Sequence, residues 1–267
     1  MPAVFDYTAL LVALGDQRAR FDVDHIERCD STNSVLLARA SQGVPSGSVV
    51  VCDEQTAGRG RRGRSWRSGN ASSSLTFSLL WRLAPGCSSA GLSLAVGLAV
   101  AQALESLNVP AVGLKWPNDI WLFGRKLGGV LIEVESDEAG LGLIIGIGLN
   151  LRRDAARDAG IDQAFASLDE ALPELTREQV LGTILSQLAL RLDHFARAGF
   201  AALRQDWAAR NALYGLPVTV SSESGSHTGR CGHANAEGAL ELLTACGARV
   251  LITSGDLSLR LALAEDA

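Results

Sequence analysis

The sequence predicts an α/β (α+β) fold in which a large first domain is followed by a small all-β module. Short β-like runs separated by turn residues lie close together between residues 113 and 151, as in a meander of adjacent strands. Long stretches with apolar residues at helical spacing flank these runs. After Pro217 the composition changes to short β-branched runs joined by glycine and serine. We therefore place a boundary near Gly215 and divide the chain into residues 1–214 and 215–267.

The large domain alternates helical and strand-like segments along the chain. The helix at 89–107 is apolar around most of its circumference, so it should be buried. Gly199 is expected to break the last helical stretch, and the polar segment 152–172 is expected to form a loop. The expected helices span residues 5–14, 31–43, 89–107 and 177–213. The expected strands span 21–29, 48–52, 75–83, 113–116, 120–123, 126–135 and 141–151, then 218–220, 238–243, 249–253 and 257–261 in the C-terminal module.

Composition and charge exclude several classes of protein. The 267 residues are 47% hydrophobic, enough to bury a large core. The net charge of −5 argues against a dedicated non-specific DNA-binding protein, which is usually basic. Five cysteines without a C-x-x-C pair fit neither a disulfide framework nor a zinc site, and they indicate a reducing compartment. The sequence contains no recognisable signal peptide or transmembrane run, so we expect a cytoplasmic protein that does not associate with membranes.

The most unusual stretch is Gly58–Trp66, whose first seven residues are four arginines and three glycines. We call it the Gly/Arg loop. Its glycines match G-x-G-x-x-G, but no amphipathic helix follows, so a dinucleotide-binding site is rejected. A solvated basic loop and a nucleic-acid patch are the alternatives, although glycines raise the entropic cost of ordering such a segment. Because arginine offers a planar fork for carboxylate and phosphate, we favour a loop that closes over an anion.

Neutral polar residues stand on either side of this part of the chain. Ser31, Thr32 and Asn33 lie where a predicted strand meets a predicted helix, and Gln55 leads into the Gly/Arg loop. Simple helix capping explains the first group about equally well. If these side chains instead face a ligand, their hydroxyls and amides suit an uncharged polar head group.

A first cationic segment, Lys115–Asp119, contains the sequence Lys-Trp-Pro-Asn-Asp. Pro117 cannot donate to a strand ladder, so pairing should break there and leave Asn118 and Asp119 for other partners. An ordinary β-turn is the alternative, because Pro-Asn-Asp is favourable turn chemistry.

A second cationic segment, Arg125–Gly129, places Lys126 at the start of an apolar strand with two glycines, where a ligand could approach the backbone. A lysine snorkelling from a strand end is the alternative. Glycines recur in Gly146–Asn150, which ends in an asparagine. Together with the loop arginines, these cations suit a carboxylate beside a polyphosphate, since two anions repel each other unless positive charge is supplied. The sequence therefore indicates activation of a carboxylate by a nucleotide, with cations and metal ions stabilising charge at phosphorus.

Five motifs follow one another along the chain: Ser31–Asn33, Gln55–Trp66, Lys115–Asp119, Arg125–Gly129 and Gly148–Asn150. In this order they resemble the motifs of bacterial biotin protein ligases, and the resemblance extends to about Arg260. It implies a monofunctional ligase that forms biotinyl-5′-AMP from biotin and MgATP and then biotinylates a lysine of a biotin carboxyl carrier protein. It also implies a central mixed sheet related to class II aminoacyl-tRNA synthetases and a C-terminal SH3-like β-barrel.

The resemblance also implies roles for individual residues. Lys126 and Arg61 would be catalytic, Trp66 would pack beside the ligand, and Asp119 would hold Mg²⁺. The biotin-binding residues would be Ser31, Thr32, Asn33 and Gln55 around the ureido ring, Gly58, Arg59, Gly60, Arg61 and Lys126, and Gly129 and Val130 along the valeryl chain. The nucleotide-binding residues would be Arg61, Arg62, Arg64, Trp66, Lys115, Asn118, Asp119, Asn150, Phe165 and Arg260.

Two departures from the family pattern shape these expectations. Family members that also act as repressors carry an N-terminal winged helix, whereas about 25 residues precede the first matching strand here, so we expect no DNA binding. Similar enzymes often stack a tryptophan on adenine, and the nearest candidate around residues 152–168 is Phe165. Lipoate or octanoate ligation and a nucleic-acid-binding module are the competing functions. Monomer and homodimer both remain open.

Overall fold

A computed structural model describes residues 5–137, 140–159, 164–222, 225–253 and 258–261. A seven-stranded mixed sheet forms the centre of the larger unit, with strand order β1-β2-β3-β7-β6-β5-β4. Only β1 and β2 are parallel, and every later neighbour in this sheet is antiparallel. The strands are β1 (Asp22–Cys29), β2 (Ser48–Gln55), β3 (Ser74–Leu83), β4 (Val112–Lys115), β5 (Asp119–Leu122), β6 (Arg125–Asp137) and β7 (Gly140–Asn150). The predicted meander is therefore confirmed, and β2 extends to Gln55, three residues beyond its expected end.

Helices cover both faces of the sheet. The helices are α1 (Tyr7–Leu14), α2 (Thr32–Ala40), α3 (Leu92–Ser106), α4 (Ala155–Asp158), α5 (Arg177–Ala198) and α6 (Arg204–Ala208). The long helices α3 and α5 pack together with α1 against one face, where they enclose the main core. Helix α2 lies on the other face against β2, β3 and β7 and forms a second, smaller apolar cluster. Among the helices that the structure describes, none is long and apolar enough to cross a membrane.

Strand β3 shows how the sequence separates the two faces. Alternate residues such as Leu75, Phe77 and Leu79 are fully buried in the main core. The intervening Thr76 and Ser78 are also buried, but they point to the face that carries α2. A sheet that places hydroxyl groups on a buried face needs partners for them, so this face is prepared for a polar site rather than for simple packing.

The last helical stretch ends earlier than expected. We predicted helix to about residue 213 with a break at Gly199; the break is confirmed, but α6 ends at Ala208. Beyond it the backbone pairs with β4 instead, because the Leu114 N–H donates to the Arg210 carbonyl and the Ala212 N–H donates to the Leu114 carbonyl. Pairing with a sheet edge thus replaces the last helical turn.

The C-terminal module is a five-stranded antiparallel sheet with strand order β11-β10-β9-β8-β12. Its strands are β8 (Pro217–Ser222), β9 (Gly225–Ala234), β10 (Leu240–Leu243), β11 (Arg249–Ile252) and β12 (Ser258–Leu261). Strand β9 was not expected from the sequence, because its glycines and serine resemble a turn. It forms because pairing with strands on both sides overrides weak local propensity. The module shares the main core, and the Trp116 Nε1–H donates to the Gly238 carbonyl at 3.0 Å.

The core of α3 provides a test of the fold. Leu98 is fully buried, whereas Leu190 on α5 is 50% exposed. We expect Leu98→Ala to lower the free energy of unfolding by about 2–5 kcal/mol, because it removes buried methyl groups and leaves a cavity. The matched control Leu190→Ala should change it by less than about 0.5 kcal/mol. Chemical denaturation measures both values, and similar losses for the two variants would contradict the assignment of α3 to the core.

Candidate active site

Glycines on the α2 side of the sheet create an open floor. A Cβ atom on Gly146 would lie far inside van der Waals distance of the Asn33 carboxamide, and one on Gly148 would lie 2.5 Å from the Trp66 ring. The glycines of β7 therefore allow two side chains from distant segments to lie directly on the backbone. On β6, Gly129 pairs with Gly148 and extends the same floor.

Neutral polar side chains form one end of the site. The Ser78 hydroxyl lies 2.5 Å from Asn33 Oδ1 and 2.7 Å from Thr32 Oγ1. Because an amide oxygen only accepts, Ser78 must donate to Asn33 and can accept from Thr32. Gln55 Oε1 accepts from the Thr32 backbone N–H at 2.7 Å. Thr32, Asn33 and Gln55, which the sequence analysis grouped together, thus meet in one hydrogen-bonded row.

Ser31 occupies the N-cap position of α2, but its side chain makes no capping hydrogen bond. Ser31 is only 3% exposed, and its backbone N–H donates to Asp30 Oδ1 at 2.6 Å. Ser31 therefore stands at the N-cap position, as the alternative of helix capping predicts. Its hydroxyl does not cap the helix, so that part of the alternative is wrong. Ser31 directly precedes Thr32 of the polar row in the chain.

The Gly/Arg loop folds into a small hairpin with its own backbone hydrogen bonds. Arg59 bridges Ser65, the Gly60 N–H donates to the Arg64 carbonyl at 2.7 Å, and the Trp66 N–H donates to the Gly58 carbonyl at 2.8 Å. A short 3-10 turn, Arg61–Gly63, forms its tip and carries Arg61 and Arg62. A Cβ on Gly58 would collide with the Trp66 carbonyl, so this position requires glycine.

A carboxylate that the sequence analysis did not select joins the hairpin to the polar row. Glu133 Oε2 accepts from Asn33 Nδ2 at 2.8 Å and from an Arg59 guanidinium nitrogen at 2.8 Å. Glu133 lies on β6, on the same face as the glycine floor. The head-group end of the site and the base of the Gly/Arg loop are therefore in contact.

The cationic end of the site lies further along β6, where this strand pairs with β5. Lys126 Nζ stands 2.7 Å from Asp119 Oδ1, and a Cβ on Gly129 would lie 3.7 Å from that ammonium. Asn33 Nδ2 lies 3.5 Å from the Leu131 carbonyl, two residues along β6 from Gly129. At the usual rise of a strand, Gly129 and Leu131, the β6 positions beside which the two groups lie, are about 7 Å apart. The separation suits a ligand with a polar head and a short acyl chain that ends in a carboxylate.

Four predicted site residues make contacts within the protein scaffold itself. Asn118 Nδ2 donates to the Val130 carbonyl at 2.7 Å, and the Val130 N–H donates to the Asn118 carbonyl. Asn150 Nδ2 donates to the Ala166 carbonyl at 3.1 Å. The Val130 side chain lies in the main core, on the face opposite the glycine floor, so Val130 could meet a ligand on that floor only through its backbone, and its role along an acyl chain stays a prediction. Lys115 stands over the Trp121 ring at 5.3 Å.

Phe165 lies beside the cationic end, and its backbone bridges that of Lys126. Its ring is 8% exposed, with the guanidinium of Arg153 at 4.1 Å and that of Arg157 at 5.3 Å from its centroid. Arg260 lies on β12 opposite Thr219, and its side chain falls outside the described part of the structure. The predicted approach of Arg260 to the nucleotide therefore stays a prediction.

Glu170 fixes the segment that carries Phe165. Burial tends to raise the pKa of Glu170, but hydrogen bonds from Arg125 and the Ser167 backbone, together with the charge of Arg153, bring that pKa below its usual value. An ionised Glu170 holds Arg125 and Arg153 at the base of the segment. This ion pairing positions the cations that flank Phe165.

A cavity of about 560 Å³ opens next to the hairpin, lined in part by Gln55, Gly58, Trp66 and Arg157. Trp66 Nε1 is buried and meets no hydrogen-bond partner within the described residues. A buried N–H donor without a partner is costly, and a ligand in this region could accept from it. No group of three or more potential metal-ligating side chains occurs in the part of the chain that is described.

Two residues of the site, Ser78 and Glu133, escaped the sequence analysis. Ser78 belongs to a polar series, Ser74, Thr76 and Ser78, at every second position of an otherwise apolar strand. That alternation is a detectable signal for a polar face. Glu133 alternates with Val134 and Glu135 at the end of an apolar run, a pattern equally typical of an exposed strand face, so it gives no comparable signal.

Comparison with known proteins identifies the family of this chain. The family model for the Biotin/lipoate A/B protein ligase family matches residues 25–150, which contain both ends of the site. The "Biotin--[acetyl-CoA-carboxylase] ligase" of Mycobacterium tuberculosis is 34% identical over 254 residues, covering 92% of this chain and 91% of that protein. The "Bifunctional ligase/repressor BirA" of Escherichia coli is 34% identical over 193 residues, covering 72% of this chain. The matched part spans 60% of the length of that relative.

A solved structure gives the same result. The biotin protein ligase from Aquifex aeolicus, crystallised in complex with biotin and ATP, superimposes with a TM-score of 0.77 at 31% identity. The match covers 90% of this chain and 99% of that one. The chain therefore belongs to the biotin protein ligase family.

Proposed function

We propose that this protein uses ATP to activate biotin as biotinyl-5′-AMP and then transfers biotin to a lysine of a biotin carboxyl carrier protein. The observation that carries the proposal is the arrangement on the glycine floor. A neutral polar row around Asn33 lies beside Leu131 and the Lys126 ammonium lies beside Gly129, two positions of β6 that are about 7 Å apart. The ureido ring would occupy the first position, and the carboxylate would reach the second.

In the first step, a carboxylate oxygen of biotin forms a bond to the α-phosphorus of ATP, and the bond to pyrophosphate breaks. Negative charge accumulates on the phosphoryl oxygens during this transfer, and a fixed cation lowers the barrier by stabilising it. Lys126 is the best placed candidate, because Asp119 holds its ammonium at 2.7 Å beside the floor. In the second step, the amine of the acceptor lysine attacks the acyl carbon and AMP leaves.

Closure of the Gly/Arg loop would protect the intermediate. A mixed anhydride hydrolyses in water, so the enzyme must exclude water until the acceptor arrives. The hairpin carries Arg61, Arg62 and Arg64 near the site, and Trp66 fills the space above Gly148. We assign Arg61 to the phosphoryl oxygens and the other arginines to the nucleotide. The unpartnered Trp66 Nε1–H would donate to the ligand.

A magnesium ion would accompany ATP rather than occupy a protein cage. Mg²⁺ commonly binds through one or two carboxylates together with substrate phosphates, so the single carboxylate of Asp119 at the cationic end fits that role. When bound, the ion would neutralise part of the phosphate charge. The part of the site that binds the nucleotide would be shaped by residues that mainly hold the backbone around it: Asn118, Asn150, Lys115, Phe165 and Arg260.

The finer features of the family belong to this proposal as well. We propose that the C-terminal sheet is an SH3-like barrel, and that the central sheet shares its ancestry with class II aminoacyl-tRNA synthetases. The relatives' printed names support a carboxylase carrier protein as acceptor. All five cysteines are free, which supports action in the reducing cytoplasm. We further propose a monomer or homodimer that binds no DNA.

Mass spectrometry of a carrier domain tests the activity directly. Incubation of that domain with biotin, ATP and this protein should add the mass of one biotinyl group, and no mass should be added without ATP. An unchanged carrier mass, with an active biotin ligase as positive control, would reject the proposal.

Calorimetry with biotin and lipoate tests the choice of substrate. We expect heat of binding for biotin and little for lipoate, because the row of hydroxyls and amides offers partners to a ureido ring and not to a dithiolane. Tight binding of lipoate without binding of biotin would favour lipoate ligation instead.

A further inference from the structure

Glu133 contributes a single carboxylate oxygen to two different parts of the site. Its Oε2 accepts from Asn33 Nδ2 at 2.8 Å in the head-group row and from Arg59 at 2.8 Å in the Gly/Arg loop. The Glu133 and Arg59 side chains are 28% and 42% exposed, so the ion pair is only partly shielded from water. Asn33 is 3% exposed, so its hydrogen bonds form in a buried setting.

The carboxylate determines which way the Asn33 amide faces. Asn33 Oδ1 accepts from the Ser78 hydroxyl, and Nδ2 donates to Glu133. A flipped amide could still bond to Ser78, because a hydroxyl both donates and accepts. The same flip would place the amide oxygen against the carboxylate, where two acceptors repel. Glu133, at the shorter distance, and the Leu131 carbonyl, 3.5 Å from Nδ2, therefore both oppose the flipped orientation.

Arg59 lies at the base of the hairpin, where its position affects the whole Gly/Arg loop. It bridges Ser65 on the returning arm, and the Trp66 N–H closes the hairpin on the Gly58 carbonyl. The bond from Arg59 to Glu133 therefore attaches the hairpin to the edge of the head-group row. An opening movement of the loop must break this bond or carry Glu133 with it.

We propose, on the basis of the function proposed above, that Glu133 is a positioning residue that couples recognition of the biotin head group to closure of the Gly/Arg loop. It orients Asn33 for the ureido ring and tethers Arg59, so that the loop is held closed when the head-group row is correctly arranged. Its effect on the reaction acts through these two residues. Loss of the tether should release the adenylate before transfer.

The substitution Glu133→Gln removes the charge and preserves the size of the side chain. A neutral amide accepts or donates, so only the longer contact with the Leu131 carbonyl still opposes the flipped orientation of Asn33, and the ion pair with Arg59 is lost. We expect the KM for biotin to rise roughly three- to tenfold, with kcat for adenylate formation less affected, a range typical of a partly exposed charged hydrogen bond. The release of biotinyl-AMP without acceptor should rise by a similar factor.

The matched control is Glu135→Gln, which removes the same charge from an exposed position two residues along the same strand face. Trypsin cleavage within Gly58–Arg64 is a second readout that needs no catalysis. Glu133→Gln should accelerate this cleavage, and Glu135→Gln should leave it unchanged. Thermal unfolding of both variants shows whether the comparison is made between folded proteins.

A double-mutant cycle with Arg59→Met separates the tether from a general structural effect. If Glu133 acts through Arg59, Glu133→Gln should accelerate loop cleavage little further in the Arg59→Met background. Fully additive effects, or identical behaviour of the Glu133 and Glu135 variants, would overturn the proposal. If the wild-type protein formed no biotinyl-AMP, the proposed function would fail, while the cleavage experiment would still test the tether.

Discussion

Replacement of Lys126 by alanine is expected to reduce biotinyl-adenylate formation by about 10²- to 10³-fold, the loss typical of removing one fixed group that stabilises transition-state charge. The variant loses the cation that stands over Gly129 and leaves the Asp119 carboxylate without its partner at 2.7 Å. The measurement is biotin-dependent exchange of pyrophosphate into ATP.

The fold should tolerate this change. The Lys126 side chain is 30% exposed, and the hydrogen bond from the Ala166 N–H to the Lys126 carbonyl involves only backbone. Arg249→Ala, which removes an exposed cation from β11 of the C-terminal module, is the control for charge and should exchange pyrophosphate normally. Near-normal exchange by a folded Lys126→Ala variant would exclude Lys126 from catalysis.

Lys126→Arg distinguishes a general need for charge from a need for the ammonium itself. Arginine keeps the positive charge but carries it on a larger planar group with different donor directions. We therefore expect an intermediate rate of exchange, above that of Lys126→Ala and below that of the wild type. Full activity would indicate that only the electrostatic field matters at this position.

Local sequence patterns were sufficient to predict most of the strands and helices of the fold. The meander was predictable because alternation and turn residues act over a few positions, and α3 because its apolar surface is nearly continuous. Strand β9 was not predictable in this way. Its glycines and polar residues resemble a turn, and the strand forms because β8 and β10 supply hydrogen bonds on both sides.

The site was predictable where its residues are clustered in short motifs. Ser31 to Asn33, Gln55 and Lys126 each lie next to an abrupt change in the sequence pattern, which is a local signal. Glu133 lies 100 residues from Asn33 and 74 residues from Arg59 along the chain. Its role depends on the register of β6 against β7, which local patterns do not specify. The same register sends the Val130 side chain into the core.

Gly146→Ala is expected to weaken biotin binding by roughly 10- to 100-fold, because overpacking a tight site costs about 1–3 kcal/mol. The added methyl group would occupy the space of the Asn33 carboxamide and push it away from Ser78 and Glu133. The head-group row and the tether to the Gly/Arg loop would be disturbed together, which is why one methyl group should have so large an effect.

Gly142→Ala is the matched control for this substitution. Gly142 lies on the same face of β7, four residues before Gly146, but a Cβ there would have its nearest neighbours at 3.6 Å, an ordinary contact distance. Calorimetry should therefore show normal biotin binding for Gly142→Ala and weak binding for Gly146→Ala. Equal affinities in two folded variants would mean that Asn33 does not contact the head group. The polar row would then have to be reassigned to a structural role, because the added methyl group cannot be accommodated at Gly146 without moving Asn33.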